Sequence, residues 1–228
     1  MVTTESGAAV ALRSVAGVAH RTTHEYVRDV LRRAVLNGEL AGGTRLVQAE
    51  IASSLNVSTT PVREALRDLA AEGLIDFDPH RGAIVQEKTP DELVEIYSIR
   101  RVLEPLAMRQ AAGNMTKQQL EELRALHDGM VSEPRPDAWV DHNREFHMSM
   151  YEPADSPRLL AIIGSLEDAS IMTVGASLNS VPGLREKAIR DHDRILTALE
   201  NDDLDGAVAA IEEHLTLSMR AMNIDFPE

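Results

Sequence analysis

The stretch from residue 47 to residue 72, VQAEIASSLNVSTTPVREALRDLAAE, constrains the fold more than any other part of the chain. Its second half places apolar residues at the three- and four-residue spacing of an amphipathic helix: Val62, Ala65, Leu66 and Leu69. Its first half predicts a shorter helix with Ile51, Ala52 and Leu55 on one face, and residues 55–58 predict the turn between the two. Two short helices joined in this way predict a helix-turn-helix, whose second helix can enter the major groove of DNA.

The flanking residues add a supporting helix and a small β-wing to this prediction. An apolar series predicts a helix over residues 20–37: Tyr26, Val30, Ala34, Val35 and Leu36. Gly73 follows the second helix as a common stop, and residues 74–78 alternate between apolar and polar side chains like a strand. Residues 79–82 predict a turn, and residues 83–85 predict the returning strand.

Residues 22–86 resemble the winged DNA-binding domain of the GntR family of transcriptional regulators. The resemblance is carried by Gly43-Thr44-Arg45-Leu46, Glu50-Ile51-Ala52, Val57-Ser58-Thr59-Thr60-Pro61-Val62-Arg63-Glu64-Ala65-Leu66, Leu69, Gly73-Leu74-Ile75 and Arg81-Gly82. It implies DNA contacts from the second helix and the wing, and we expect these from Arg45, Ser58, Thr59, Thr60, Arg63, His80, Arg81 and Gly82. Thr59 stands where the family usually has an arginine, which predicts a missing contact and a different operator.

Arg63 is the strongest candidate for a contact to a base or a phosphate of DNA. The alternative is an ion pair on its own helix, with Glu64 or with acids beside Arg67. Ser58 is placed to cap this helix, and Pro61 lies in its first turn, where a missing backbone N–H costs little. The free N–H groups and hydroxyls at the helix start can meet phosphate oxygens, so we expect this end to face DNA.

The acidic charge of the chain is concentrated in its second part. The net charge is −14, but residues 20–88 contain 9 basic and 10 acidic residues, whereas residues 89–228 contain 13 basic and 26 acidic residues. This separation suits a near-neutral DNA-binding domain joined to an acidic body that cannot lie on DNA. The alternative is that the second part is acidic only because the surfaces of soluble proteins often are.

Length and composition limit the remaining classes of protein. A chain of 228 residues with 43% hydrophobic residues can form one large domain or two ordinary ones. The absence of cysteine excludes disulfide and thiolate chemistry and fits a reducing cytoplasm, where we expect the protein to act. No apolar run approaches about 18 residues, so we expect no membrane span. Residues 1–19 have the composition of a disordered arm and lack the pattern of a secretory signal.

From Thr89 onward every signal in the sequence is helical. Thr89 and Glu92 form a capping box ahead of the first helix, as Thr116 and Gln119 do ahead of the second. Further helices are predicted over residues 137–151, 156–178, 184–200 and 203–222.

The chain is therefore predicted to be mainly α and to have two domains behind its arm. A winged helix-turn-helix domain with a small β-wing occupies residues 20–88. An all-α bundle of six or seven helices occupies residues 89–228.

Three helices of the bundle carry histidine on a face that should be buried. Asn143 and His147 lie four residues apart on one side of the third helix. His192 lies in the middle of the apolar stripe of the fifth helix, and His214 borders the stripe of the sixth. Neutral imidazole is the commonest nitrogen ligand for zinc and similar ions, so the set predicts a metal site. The alternative is that each histidine is a hydrogen-bonded core residue.

Residues 90–220 resemble the FCD effector domain of the FadR subfamily of GntR regulators. The matching residues are Tyr97-Ser98-Ile99-Arg100, Leu103-Glu104, Phe146-His147, Asp191-His192, Ile195-Leu196 and His214-Leu215. The resemblance implies a homodimer and a divalent metal ion held by Asn143, His147, His192 and His214. With no thiolate and one amide oxygen, these ligands suit zinc, nickel or manganese-like ions. Asn143 stands where aspartate is more usual, which removes one negative charge from the site.

Arg100 is the candidate contact for an effector. It lies on the inward side of the first bundle helix, and a buried arginine needs an anion. It predicts either a bidentate clamp on a carboxylate ligand or an internal ion pair with Glu104, which shares its helix face. We expect a transcriptional regulator that binds a palindromic operator as a homodimer and senses a small carboxylate effector at the metal.

Two other functions stay open. The first is a metal-dependent regulator that has no organic effector. The second is a metal-dependent hydrolase fused to a DNA-binding domain, because a metal held by three histidines can activate water. Against an enzyme, no carboxylate is clearly placed as a general base, since Glu145 lies off the inward stripe, and no glycine-rich phosphate loop is present.

Overall fold

The computed structural model describes residues 22–78 and 82–221. Its elements are α1 (Thr23–Leu36), β1 (Arg45–Leu46), α2 (Gln48–Leu55), α3 (Thr59–Ala71), β2 (Ile75–Asp78), β3 (Gly82–Val85), α4 (Pro90–Ala112), α5 (Lys117–Ser132), α6 (Pro136–Tyr151), a 3-10 turn (Glu152–Ala154), α7 (Pro157–Ser180), α8 (Leu184–Glu200) and α9 (Leu204–Ala221). The expected mainly α fold is confirmed, with a winged helix-turn-helix unit before an all-α bundle. The arm expected over residues 1–19 lies outside the described residues.

The helix-turn-helix forms as its apolar spacing predicts. Helix α3 packs against α1 and fully buries the four predicted side chains: Val62, Ala65, Leu66 and Leu69. Between α2 and α3, Asn56 adopts the left-handed backbone conformation (φ 54°), which closes the short turn. Ser58 occupies the N-cap position of α3, but the capping hydrogen bond expected of its side chain is not formed.

One strand of the wing was not expected from the sequence. Strands β2 and β3 pair antiparallel as predicted, with Ile75 opposite Val85. Strand β1, which no pattern in the sequence predicts, pairs with the other edge of β3 and places Arg45 opposite Ile84. A strand of two residues shows no periodicity, so only the pairing reveals it. Its consequence is that Arg45 is held against the wing.

Helix α1 buries the last two residues of the expected apolar series, Val35 and Leu36, but its earlier turns bury a face one residue away from the expected one. Val27, Leu31 and Val35 are buried at four-residue spacing, whereas Tyr26, which was expected on the apolar face, is 44% exposed. Both series are apolar at helical spacing, and packing against α3 selects between them. The choice was therefore made by tertiary contact and not by the helix itself.

The bundle begins where its capping signal predicts. The Thr89 hydroxyl accepts a hydrogen bond from the backbone N–H of Glu92 (3.3 Å), and the Glu92 carboxylate accepts one from the N–H of Thr89 (2.8 Å). Helix α9 packs against α8 and α4, α7 packs against α4 and α6, and α5 joins α6 to α8. Helices α6, α8 and α9 thereby contribute side chains to one shared interior.

Helix α7 is unusually apolar for a helix that is only partly buried. Its segment Pro157–Leu178 is long and apolar enough to cross a membrane by length and composition, with a mean hydropathy of 1.5, although two acidic residues interrupt the apolar run. Glu167 and Asp168 in its middle pair with Arg100 of α4 and Arg144 of α6, so the helix is tied into the bundle. Only 33% of the apolar segment is buried, most of the rest is half-buried, and Ile162 is its one large apolar side chain that is exposed (49%).

Candidate functional site

Three histidine rings meet in the interior of the bundle. His147 comes from α6, His192 from α8 and His214 from α9, and their side chains are carried inward by the apolar stripes of these helices. The ring centroids lie 5.1 Å (His147–His192), 5.2 Å (His147–His214) and 4.7 Å (His192–His214) apart. One nitrogen of each ring lies within 4.8 Å of the others, which is close enough for a shared metal ion.

Several nitrogens of these rings are buried and have no hydrogen-bond partner among the described residues. These are Nδ1 of His147, both ring nitrogens of His192 and Nδ1 of His214. Leaving such a group unsatisfied costs about 1–3 kcal/mol, and a divalent cation would satisfy several at once. Burial, reinforced by His214, lowers the pKa of His147 and of His192 well below the usual range. These two imidazoles are therefore neutral near pH 7, which is the form that ligates metal.

A cavity of about 40 Å³ opens beside this cluster, and Asn143, His147 and His214 form part of its wall. Asn143 is half-buried and lies one helical turn before His147. His192 is fully buried and is not part of the wall. The structure thus brings Asn143, His147 and His214 to one cavity and places the His192 ring against the other two histidines.

Arg100 also faces the cavity, but its guanidinium is held by internal partners. Its Nε donates to Glu104 (2.5 Å), Nη1 donates to the Ser170 hydroxyl (3.1 Å), and Nη2 donates to Glu167. The Tyr151 hydroxyl donates to the second oxygen of Glu104 (2.8 Å). The internal ion pair that the sequence left as an alternative is therefore present, and Glu167 adds a second carboxylate that the sequence did not suggest.

The two carboxylates outnumber the single guanidinium, so the network favours a further positive charge. His147 Nδ1 lies 3.9 Å from the nearest oxygen of Glu104 and of Glu167. Burial raises the pKa of the Glu167 carboxyl to about 7, although Arg100 opposes this shift. A divalent cation at the histidines would favour the ionised form of these carboxyls.

Trp139 lies on the inward stripe of α6 with Asn143 and His147 and also lines the cavity, although the sequence did not mark it as a site residue. Its ring lies nearly parallel to that of His192 (15°) at a centroid distance of 6.4 Å, and its indole N–H is buried without a partner among the described residues. It stands four residues before Asn143, so helical spacing alone could have indicated it. Glu167 could have been found as a charged residue inside the apolar helix α7.

The start of α3 presents the expected DNA-contacting side chains to solvent. Ser58, Thr59, Thr60 and Arg63 are all exposed. Within residues 22–78 and 82–221, no side chain pairs with Arg63, so the ion pair with Glu64 is not formed. The exposed, unpaired guanidinium is thus accessible to a partner outside the chain.

The wing adds a second part to this surface. Arg45 on β1 is exposed, and a Cβ placed on the neighbouring Gly82 would lie 3.9 Å from the Arg45 Nε. His80 and Arg81 lie outside the described residues. Arg67 was not selected from the sequence, although it is exposed four residues after Arg63 on the same helix.

Comparison with known proteins finds a family match in each half of the chain. Residues 23–85 match the family described as bacterial regulatory proteins, gntR family, and residues 95–217 match the FCD domain. The chain is 34% identical over 203 residues to a probable D-xylose utilization operon transcriptional repressor of Paenarthrobacter nicotinovorans, covering 88% of each chain. It is 29% identical to the HTH-type transcriptional repressor RspR of Escherichia coli K12, covering 84% of this chain and 85% of RspR.

Two solved structures extend the comparison to the fold. The structure of E. coli McbR/YncC has a TM-score of 0.65 at 27% identity and covers 89% of this chain and 97% of its own. A GntR-family regulator from Pseudomonas syringae pv. tomato DC3000 has a TM-score of 0.54 at 29% identity, covering 92% and 90%.

Proposed function

Since the chain belongs to the gntR family of bacterial regulatory proteins and carries an FCD domain, it is a DNA-binding transcriptional regulator, and we propose that a small carboxylate bound at a metal ion controls its operator affinity. The observation that carries the proposal is the convergence of three buried histidine rings, four of whose nitrogens have no hydrogen-bond partner among the described residues. The acidic surplus of Glu104 and Glu167 around Arg100 supports a cation at this position. We further assign the chain to the FadR subfamily and to the cytoplasm.

Asn143, His147, His192 and His214 would hold the metal, with zinc, nickel or manganese-like ions as the candidates. A metal held by these ligands keeps coordination positions open for carboxylate oxygens. The cavity of about 40 Å³ has room for only a few water-sized groups, which favours a small effector. Arg100 would bind the same effector through its guanidinium, and the effector carboxylate would then replace Glu167 there.

The test is metal retention after reconstitution with zinc, nickel or manganese and desalting. We expect wild type to retain the ion and His147→Ala and His192→Ala to lose it, as measured by elemental analysis. His127→Ala is a matched control, because His127 is buried in the same bundle but its Nε2 is already bonded to the carbonyl of Ile189 (3.1 Å). Wild type that retains no more metal than the two variants would show that these histidines only pack.

The effector is tested on the metal-loaded protein. A thermal-shift screen with small monocarboxylates such as formate and acetate should raise the melting temperature of wild type, and Arg100→Gln should blunt the shift. A response to metal with none to any carboxylate would favour the second candidate, a regulator without an organic effector. The small volume of the cavity is the observation that keeps this candidate open.

Two observations argue against a hydrolase. The relatives are transcriptional regulators, and the carboxylates nearest the histidines, Glu104 and Glu167, are engaged by Arg100.

DNA recognition would involve Arg63, Ser58, Thr59 and Thr60 on α3 and the wing residues, on a palindromic operator. Two relatives are described as repressors, which supports repression as the output here.

We propose that a second copy of the chain covers the exposed apolar side chains of α4 and α7, so that a homodimer carries two winged units. Val102 on α4 is 68% exposed, and Ile162 on the adjoining α7 is 49% exposed. Val102→Glu should shift the sedimentation of the protein toward the monomer, whereas Val131→Glu, at an exposed site on α5, should not. A dimer that survives Val102→Glu would locate the interface elsewhere.

A further inference from the structure

The end of α1 is fastened to the bundle by one arginine. Arg32 donates from Nη1 and Nη2 to the two carboxylate oxygens of Asp141 on α6 (2.7 and 2.5 Å). Its Nε donates to Glu72, at the end of α3 in its own unit (2.9 Å). A single guanidinium therefore joins the supporting helix, the end of the recognition helix and a bundle helix. All three of its nitrogens donate in a fixed fork, which holds the two units in one relative orientation.

A second contact joins α1 to α7 through the backbone. A Cβ placed on Gly175 would lie 2.6 Å from the carbonyl oxygen of Leu36, the last residue of α1. No side chain fits at this distance, so glycine is what allows the two helices to approach so closely. Together with the Arg32–Asp141 pair, this contact holds the end of α1 between α6 and α7. We refer to the two contacts as the α1 bridge.

The two bundle helices of the α1 bridge, α6 and α7, are among the helices that line the candidate metal cavity. Asp141 precedes the proposed ligand Asn143 by two residues, and Gly175 follows the wall residue Val174 directly. A helix moves as a rigid element over such short distances, so a shift of the cavity wall also shifts its contacts with α1. A groove of about 780 Å³ lies beside Arg32 and Asp141, which leaves space for the two units to change their relative placement.

We propose that the α1 bridge transmits the state of the metal cavity to the DNA-binding unit. The proposal rests on the proposed metal site, because the signal it carries begins at Asn143 and His147 on α6. Drawing these ligands onto an ion repositions α6, and the Arg32–Asp141 pair passes the change to α1 and, through Glu72, to the end of α3. The close contact at Gly175 makes α7 move together with the same end of α1.

The experiment is hydrogen exchange of the full chain, measured by mass spectrometry with and without Ni²⁺, with bound nickel determined on the same samples. In wild type, nickel should slow backbone exchange over residues 31–37, at the end of α1. Asp141→Asn and Gly175→Ala should bind nickel as wild type does but lose this nickel-dependent change. Glu200→Gln is the matched control, since it removes a two-point partner of Arg124 within the bundle and should leave the change intact.

The outcomes separate this inference from the function on which it rests. If wild type binds nickel and exchange over residues 31–37 is unchanged, the α1 bridge carries no signal and the metal site stands. If wild type binds no nickel, the metal site fails and the inference fails with it. If folded Asp141→Asn keeps the full nickel-dependent change, the ion pair is not the route. If Gly175→Ala does not fold, Asp141→Asn alone decides whether the α1 bridge carries the signal.

Discussion

Helix α3 and the histidine cavity leave polar groups unpaired in opposite surroundings. On α3, Arg63 and Thr60 face solvent, so water satisfies them when no DNA is present. At the histidine cluster, the nitrogens of His147 and His192 that have no partner in the described part of the chain are buried, and each unsatisfied group costs about 1–3 kcal/mol. An exposed contact surface can therefore exist without its ligand at no cost in stability. A buried one is completed by its ligand, so binding there should stabilise the fold as well as regulate it.

The largest expected effect of this difference is a metal-dependent gain in the stability of the bundle. Zinc at a thousand times its dissociation constant adds about 4 kcal/mol to the free energy of unfolding if it binds only the folded state. Trp139 is the one tryptophan of the chain and lies on α6, so its fluorescence follows the bundle in a urea titration. We expect zinc to raise the midpoint for wild type and not for His192→Ala. If zinc leaves the urea midpoint of wild type unchanged, the buried histidines gain no stability from a metal and do not differ from α3 in this respect.

A smaller effect is expected on the exposed side of the comparison. Arg63→Ala should weaken binding of a specific operator by about 1–3 kcal/mol if the guanidinium contacts a base, as measured by fluorescence anisotropy. The zinc-dependent stabilisation should be unchanged, because Arg63 pairs with no side chain in the part of the chain that the structure describes. Arg67→Ala, on the same helix, would show whether the neighbouring turn contributes. Full operator affinity in Arg63→Ala would remove this residue from the DNA surface.

The smallest effect is the acid sensitivity of the metal-free bundle. Burial lowers the pKa of His147 and of His192, whereas an unfolded histidine titrates near about 6.5. Below that pH the unfolded chain binds protons that the folded chain does not, so stability falls as the pH falls. The loss is at most about 1.4 kcal/mol per histidine for each pH unit, and it is absent above about pH 6.5. Urea titrations from pH 7.5 to 5.5 should show a shallower loss for His192→Asn than for wild type.

Features that depend on one helix or one turn could be predicted from the sequence. The buried face of α3 follows from apolar spacing alone, and the start of α4 follows from the capping box of Thr89 and Glu92. In the first turns of α1, the buried face was predicted one residue away from the observed one. Two adjacent apolar series compete there, and only the packing against α3 decides between them. Strand β1 is defined by its pairing with β3, which lies almost forty residues later and leaves no local signal.

The candidate site, too, could be predicted only where its residues lie on one helix. The sequence indicates that His147, His192 and His214 face inward, and it cannot show that three helices bring the rings within about 5 Å of each other. Glu104 could be proposed as a partner of Arg100, because the two are four residues apart on one helix. Glu167 pairs with the same arginine across 67 residues of sequence, and that pairing depends on how α4 and α7 pack. Which residues ligate a metal stays a prediction until metal retention is measured.

The exposed apolar side chains on α4 and α7, such as Val102 and Ile162, have a consequence for the amount of the protein that accumulates in a cell. If a second copy covers this face, a newly made chain exposes Ile162 and its neighbours until it meets a partner. Unpaired chains then offer chaperones and proteases an apolar target, and paired chains do not. We therefore expect degradation to be faster at low expression than at high expression. The abundance of the regulator would be set partly by the rate at which its own chains find each other.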